Sequence, residues 1–307
     1  MKKVLSIIAS LVLCAFFCVS MSVRNAEASG LSFSISPMKE IIILEPGEEY
    51  EGYFTVDIPL KQETEVGYTI EVKPFYVDDE YSTVFEAEKN RGQMAEWITL
   101  KSPKADTLQP NQSRKIEYKI TVPEDAPAGG QYASINVIVE TDPNVEGVGI
   151  SERVLMGHLI FAEVAGGSEY SGEIVDVKVP SFLFGGEVRA SSLVRNTGNV
   201  HAIATYKMKV SSVFGGGVVY DNSAEPDRRV VVPDRTFFNE NYWQETPMAG
   251  IFNVEYTVEF QGLETTATKV VIVCPPWLLF LVLAAIIILV IRIVTLVRAH
   301  KAMRLQP

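Results

Sequence analysis

Between Ser29 and Val273 the chain has no cysteine, so no disulfide can staple that stretch and its folding rests on hydrophobic cores alone. Two cores of roughly 120 residues each are large enough for that. Histidine is nearly as scarce. Only His158 and His201 fall in this stretch, and without cysteine they can build neither a zinc site nor a cysteine–histidine pair. There is no Gly-x-Ser-x-Gly elbow, and Gly215, Gly216 and Gly217 are not followed by Lys-Ser or Lys-Thr, so they read as a hairpin loop and not as a phosphate cradle. The expectation is a non-enzyme with no catalytic residue, no metal and no cofactor. His158, following Gly157 in an apolar run, reads as an ordinary β-sheet histidine.

Positive charge is also short. Residues 1–28 carry +2 and those from Arg292 onward +4 of a total of −11, which leaves −17 on the stretch between them. Nucleic acid is excluded as a partner, because phosphates need Lys and Arg to replace their counterions. The same charge repels anionic lipid and anionic wall polymers over about a Debye length. Asp78, Asp79 and Glu80, and Asp142 with Asn144, lack the alternating ligand spacing of a calcium loop and read as solvated turns.

Charge is missing altogether from two long runs. Residues 4–23 follow Met1, Lys2 and Lys3 and precede Ala26-Glu27-Ala28, the pattern of a signal peptide over 1–28. The alternative is an uncleaved N-terminal anchor. Residues 270–291 are uncharged and are followed by Arg292, Arg298, Lys301 and Arg304 with no acidic residue. This predicts a transmembrane helix over 275–297 and a basic cytoplasmic tail over 298–307, with Trp277 in the outer aromatic belt. The resulting topology is single-pass in the cytoplasmic membrane, with the ectodomain outside and the C-terminus inside. Cys274, at the membrane boundary, reads as a small apolar residue, the alternative being a disulfide-linked dimer.

The remaining pattern is alternation. Apolar residues recur at every second position in Tyr50, Phe54, Val56 and Ile58, in Val66, Tyr68, Ile70 and Val72, and in Ile116, Tyr118, Ile120 and Val122. They do so again in Ala133, Ile135, Val137 and Val139, from Val200 to Val210, and in Phe252, Val254, Tyr256, Val258 and Phe260. Period two with no long helical stripe predicts an all-β chain of two tandem immunoglobulin-like antiparallel β-sandwiches. Only 85–97 departs from it, leaving room for a helical turn. Gly166, Gly167 and Ser168 mark a boundary between domains at 31–166 and 171–270, joined by a linker short enough to hold them semi-rigidly. The second domain sits near the membrane and presents the first outward. Asn196, Gly198 and Asn199 read as a structural turn of the hairpin type, with Gly198 at positive φ.

Several fragments of the first domain carry a resemblance: Ser36-Pro37, the run Leu44-Glu45-Pro46-Gly47 through Gly52, Trp97-Ile98-Thr99-Leu100, and Val122-Pro123 through Tyr132. In this order, with the two end segments, residues 33–165 resemble the bacterial WxL-interacting protein family, whose N-terminal domain is described as peptidoglycan-binding. The second domain matches that family less well. The resemblance implies a cell-surface protein contacting peptidoglycan or a wall-associated surface protein. Wall sugars are gripped by exposed aromatics, and by residue type Tyr76, Tyr81, Trp97 and Tyr132 are the candidates, with core packing as the competing role for each. The rival expectation is an assembly partner that adds its strand edges to other exported proteins.

Overall fold

A computed structural model describes residues 33–60, 65–86, 91–140 and 153–303. The signal-peptide segment and the turn at Asp142 and Asn144 lie outside them. The first sandwich contains β1 (Ser34–Ser36), β2 (Lys39–Leu44), β3 (Glu49–Asp57), β4 (Val66–Pro74), β5 (Tyr76–Val77) and β6 (Thr83–Val84). It continues with a one-turn helix α1 (Met94–Trp97), then β7 (Ile98–Leu100), β8 (Ala105–Leu108), β9 (Ser113–Thr121), β10 (Gly129–Glu140) and β11 (Arg153–Val164). One sheet has the order β1-β3-β9-β7 and the other β2-β11-β10-β4-β8. All pairings within them are antiparallel except β2 with β11. The alternating residues meet between the sheets: Phe54, Val56, Ile116, Tyr118 and Ile120 from one face Ile70, Ile135, Val137 and Ile160 from the other. α1 lies in the segment where strand alternation fails, and it buries Met94 and Trp97.

The second sandwich comprises β12 (Gly172–Lys178), β13 (Phe182–Leu183), β14 (Val188–Asn196), β15 (Ala202–Ser212), β16 (Val218–Asp221), β17 (Asp227–Val231), β18 (Thr236–Trp243), β19 (Gly250–Phe260) and β20 (Leu263–Val273). Its sheets are β12-β14-β18 and β13-β20-β19-β15, with β16 and β17 both on the far side of β15. Every second residue of β15 and β19 is buried, as period two requires. The glycine triplet does form the β15–β16 hairpin loop.

The turn at 196–200 corrects an expectation. β14 pairs with β12 and β18, whereas β15 pairs with β16, β17 and β19, so this turn passes from one sheet to the other and is not a hairpin. Gly198 is not among the glycines with positive φ. A Cβ there would stand 2.2 Å from the Glu169 carbonyl oxygen, so glycine is required by a close backbone approach.

The linker and the chain's exit lie at opposite ends of this sandwich. Gly172 opens β12 against the ring of Phe260, while Gly250, ten residues back along β19, pairs with Val273. At about 3.3 Å per residue the two ends are roughly 35 Å apart. Only Cys274 and Pro275 separate β20 from α2 (Pro276–Met303), whose segment Pro276–Val297 is long and apolar enough to cross a membrane.

Candidate partner-binding site

Among the described residues, β2 is the outermost strand of its sheet, paired on one side only. Its sequence, Lys39-Glu40-Ile41-Ile42-Ile43-Leu44, ends in four apolar residues, yet the strand has two unlike faces. Leu44, Ile42 and Glu40 turn inward, while Ile41 is 41% exposed and Ile43 66%. Besides the ladder to β11 and the buried Leu44, Glu40 ties the strand across the sandwich. Its carboxylate accepts hydrogen bonds from the hydroxyls of Tyr50 on β3 and Tyr118 on β9, both in the opposite sheet. His158, fully buried on the neighbouring β11, places Nε2 3.1 Å from the Tyr118 hydroxyl and 3.3 Å from Glu40 Oε2. Its Nδ1 lies 2.7 Å from the Pro37 carbonyl oxygen, which can only accept, so Nδ1 carries a proton. Phe54 stacks on the imidazole at 4.9 Å between ring centres.

The electrostatics of this cluster are one-sided. Burial opposes ionisation of Glu40, but hydrogen bonds from His158, Tyr118 and Tyr50 and the charge of His158 outweigh it and hold the pKa down at about 2. Burial and the same carboxylate push Tyr50 up to about 12 and raise Tyr118 as well. The result is an ionised, half-buried carboxylate under the strand, with the tyrosines kept as neutral donors. Nothing in the sequence marks Glu40, because its partners are 10, 78 and 118 positions away.

The sandwich's other flank is open but guarded. β4 is paired by β8 only as far as Thr69, and its free side faces the edge strand β7 across a cleft lined by Glu71, Lys73, Thr99 and Lys104. Charged side chains, lysine above all, are how natural sheets blunt an edge. β2 has one such residue on its outward face, Lys39, and beyond it Ile41 and Ile43 stand exposed.

The four aromatic candidates lie elsewhere. Trp97 is packed into the first core. Tyr76 is half-buried at the start of the small β5–β6 pair. Tyr132 is buried in a third cluster with Phe75, Val77, Phe161 and, from the second sandwich, Val232, against which Tyr81 also packs. Asp78 shapes the turn that presents Tyr81, accepting from the main-chain N–H groups of Glu80 at 3.0 Å and Ser82 at 2.8 Å. Tyr81 there takes φ 62, unusual for a bulky residue, and its hydroxyl accepts from Val232 N at 3.2 Å. Arg235 Nε donates to the Val77 carbonyl at 2.8 Å, and Arg91 pairs with Asp234 at 3.0 Å.

The turn residues belong to this joint too. Asn199 donates from Nδ2 to Gly167 O at 2.8 Å and accepts from Glu169 N at 2.7 Å, tying the linker down. Asn196 donates from Nδ2 to Val200 O and to Val231 O, each at 2.8 Å, holding the turn against β17. His201 is buried beside Tyr132 and Phe161, with ring centres 5.8 and 5.6 Å away. Burial pushes its pKa down to about 4, against a smaller upward pull from Glu163. Among the described residues no cluster of His, Cys, Asp or Glu could hold a metal ion.

No protein-family model matches the chain, and no curated protein matches it in sequence. Among solved structures it is similar to the class 5 fimbriae chaperone CfaA, at 14% identity over 80% of this chain and 100% of that one, with a TM-score of 0.37. The E. coli chaperone DraB shares 14% identity over 78% of this chain and 97% of its own, with a TM-score of 0.34. A protein of unknown function from Porphyromonas gingivalis W83 shares 13% over 79% and 100%, with a TM-score of 0.29. Likeness at this level carries no functional assignment.

Proposed function

We propose that this protein is a single-pass, membrane-anchored, non-enzymatic binding protein of the cell envelope, whose outer sandwich takes an extended segment of another exported protein along β2. The observation that supports it best is the edge itself: a strand paired on one side only among the described residues, with Ile41 and Ile43 exposed and Lys39 the one charged side chain on their face of the strand. An incoming strand would find main-chain partners there, while the apolar face supplies side-chain contact. Glu40 ties the edge to the opposite sheet, which lowers the ordering left to the binding step. The basic residues after the apolar span of α2 put the C-terminus on the cytoplasmic side, with the signal-peptide pattern routing the sandwiches across. A wall-sugar ligand draws less support, because Trp97 and Tyr132 are enclosed and Tyr81 is engaged in the joint.

The test is a photo-crosslinking residue at Ile43 in the full chain in cells, beside sedimentation of the solubilised full chain with purified peptidoglycan. A discrete protein adduct that disappears when Ile41→Lys is added is expected. Absence of any adduct together with co-sedimentation would replace this reading by the wall-ligand one.

A further inference from the structure

The end of the second sandwich from which the chain leaves exposes large apolar side chains at its loop tips, where a solvated sandwich end would be polar. Three loops meet there: 184–187 between β13 and β14, 213–217 between β15 and β16, and 244–249 between β18 and β19. Ladder register places them together. Leu183 pairs with Val273, Gly250 pairs with Val273 from the other side, Val213 N donates to Ile251 O at 3.0 Å, and Val188 pairs with Trp243. Each tip carries a large apolar side chain in the open: Phe184 at 66%, Phe214 at 76% and Met248 at 68% exposure. Two of the tips repeat one device. Phe184-Gly185-Gly186 and Phe214-Gly215-Gly216 each place two glycines at positive φ directly after the phenylalanine, a backbone path that projects the ring from the loop.

The same end is fastened to α2. Cys274 N donates to Leu183 O at 2.9 Å, so the loop bearing Phe184 is hydrogen-bonded to the segment that becomes the helix two residues later. Trp277, 52% exposed, stands in the first turn of α2, where an interfacial aromatic belongs. The only acidic residues in the three loops, Glu187 and Glu245, rule out docking by attraction to anionic headgroups. What remains is apolar and aromatic contact.

We propose that this end is a membrane-docking face: Phe184, Phe214 and Met248 enter the interfacial layer of the bilayer that α2 spans, seating the second sandwich upright on the lipid. The partner is a lipid surface of no particular charge. Side chains of this kind settle about 5–10 Å into the boundary between headgroups and acyl chains. Two attachments, helix and tips, fix the sandwich's tilt, which a two-residue connection alone would leave free, and so set the height at which β2 is presented. The proposal rests on α2 being a membrane span.

The experiment uses the full chain with Cys14, Cys18 and Cys274 replaced, reconstituted in phosphatidylcholine nanodiscs. A polarity-sensitive fluorophore is attached in turn at Phe214→Cys, Met248→Cys, Glu264→Cys at the opposite end, and Leu283→Cys within α2. Labels at 214 and 248 are expected to shift to the blue and to be quenched by lipid with a nitroxide near its headgroup, unaffected by salt, while 264 is not. Replacing Phe184 and Phe214 together by serine should relieve the quenching at 248. If the label at 283 is quenched by deep nitroxides and those at 214 and 248 are not, the docking face is wrong and the membrane span stands. If 283 is not quenched either, the span itself is wrong. Protection of 214 from an aqueous quencher without lipid quenching would make the face a protein contact and overturn the proposal.

Discussion

The main-chain N–H of Gly130, in the first sandwich, donates to the main-chain oxygen of Asn199, in the second, at 2.9 Å. This one bond joins the start of β10 to the turn before β15. The side chain of the same Asn199 ties the linker at Gly167 and Glu169, so three segments converge on one residue. The two sandwiches are therefore held by a bonded joint and not merely by a short linker.

Asn199→Ala removes both side-chain bonds and leaves Gly167 O and Glu169 N to find water. A loss of about 1–3 kcal/mol is expected, together with faster proteolysis within 165–171. Thermal melting and a timed protease digest read both. An unchanged midpoint with an unchanged cleavage pattern would mean that the apolar cluster alone holds the joint.

Gly198→Ala should cost about 1–3 kcal/mol, because the new methyl would meet the Glu169 carbonyl oxygen at 2.2 Å. Gly198→Asn separates this cause from backbone strain. At a positive-φ position asparagine would restore much of the loss; against a crowding carbonyl it is expected to be at least as harmful as alanine.

His201 makes the joint sensitive to mild acid. Its pKa is lowered from 6.5 to about 4 in the folded protein, so the unfolded chain takes up the proton first. Its contribution is therefore whole above about pH 6.5 and is lost as pH falls towards 4, by about 3 kcal/mol in all. Glu163 is the carboxylate that works against this, by raising the pKa. Melting temperature recorded from pH 7 to 4 should fall more steeply in the native chain than in His201→Phe. Parallel curves would exclude the imidazole as the source.

Glu40 acts in a lower window. Its pKa is depressed from 4.5 to about 2, so its contribution is present above pH 4.5 and lost as pH falls towards 2. Allowing for its partial exposure, that is about 2 kcal/mol. Glu40→Gln should remove the acid loss below pH 4.5 and lower stability at neutral pH by a similar amount, while leaving the steeper fall between 6.5 and 4 in place. Hydrogen exchange of the β2 amides is expected to quicken in the variant. Unaltered exchange there would show that the parallel ladder with β11 positions the strand without the carboxylate.

The strands were legible because period-two alternation is local: Phe252, Val254, Tyr256, Val258 and Phe260 name their buried face without reference to anything else in the chain. The apolar span of α2 was equally plain, since length and the absence of charge are properties of one segment. The hairpin reading at Asn196 to Asn199 failed for the complementary reason. Asparagine and glycine announce a turn, but which sheet receives the next strand depends on how β14 and β15 pair. In the same way, an Ile41-Ile42-Ile43 run hides an exposed edge, and aromatic residue type says nothing of whether Tyr132 faces a ligand or the neighbouring domain. Sequence by itself determined the two β-sandwiches, their order and the helix that follows, because each is set by neighbours within a few positions. Only the tertiary structure decided where Glu40 finds Tyr50, Tyr118 and His158, that Asn199 is a clasp, and that three apolar tips share the end beside α2. Those contacts join positions ten to more than a hundred residues apart, and a linear pattern holds no record of them.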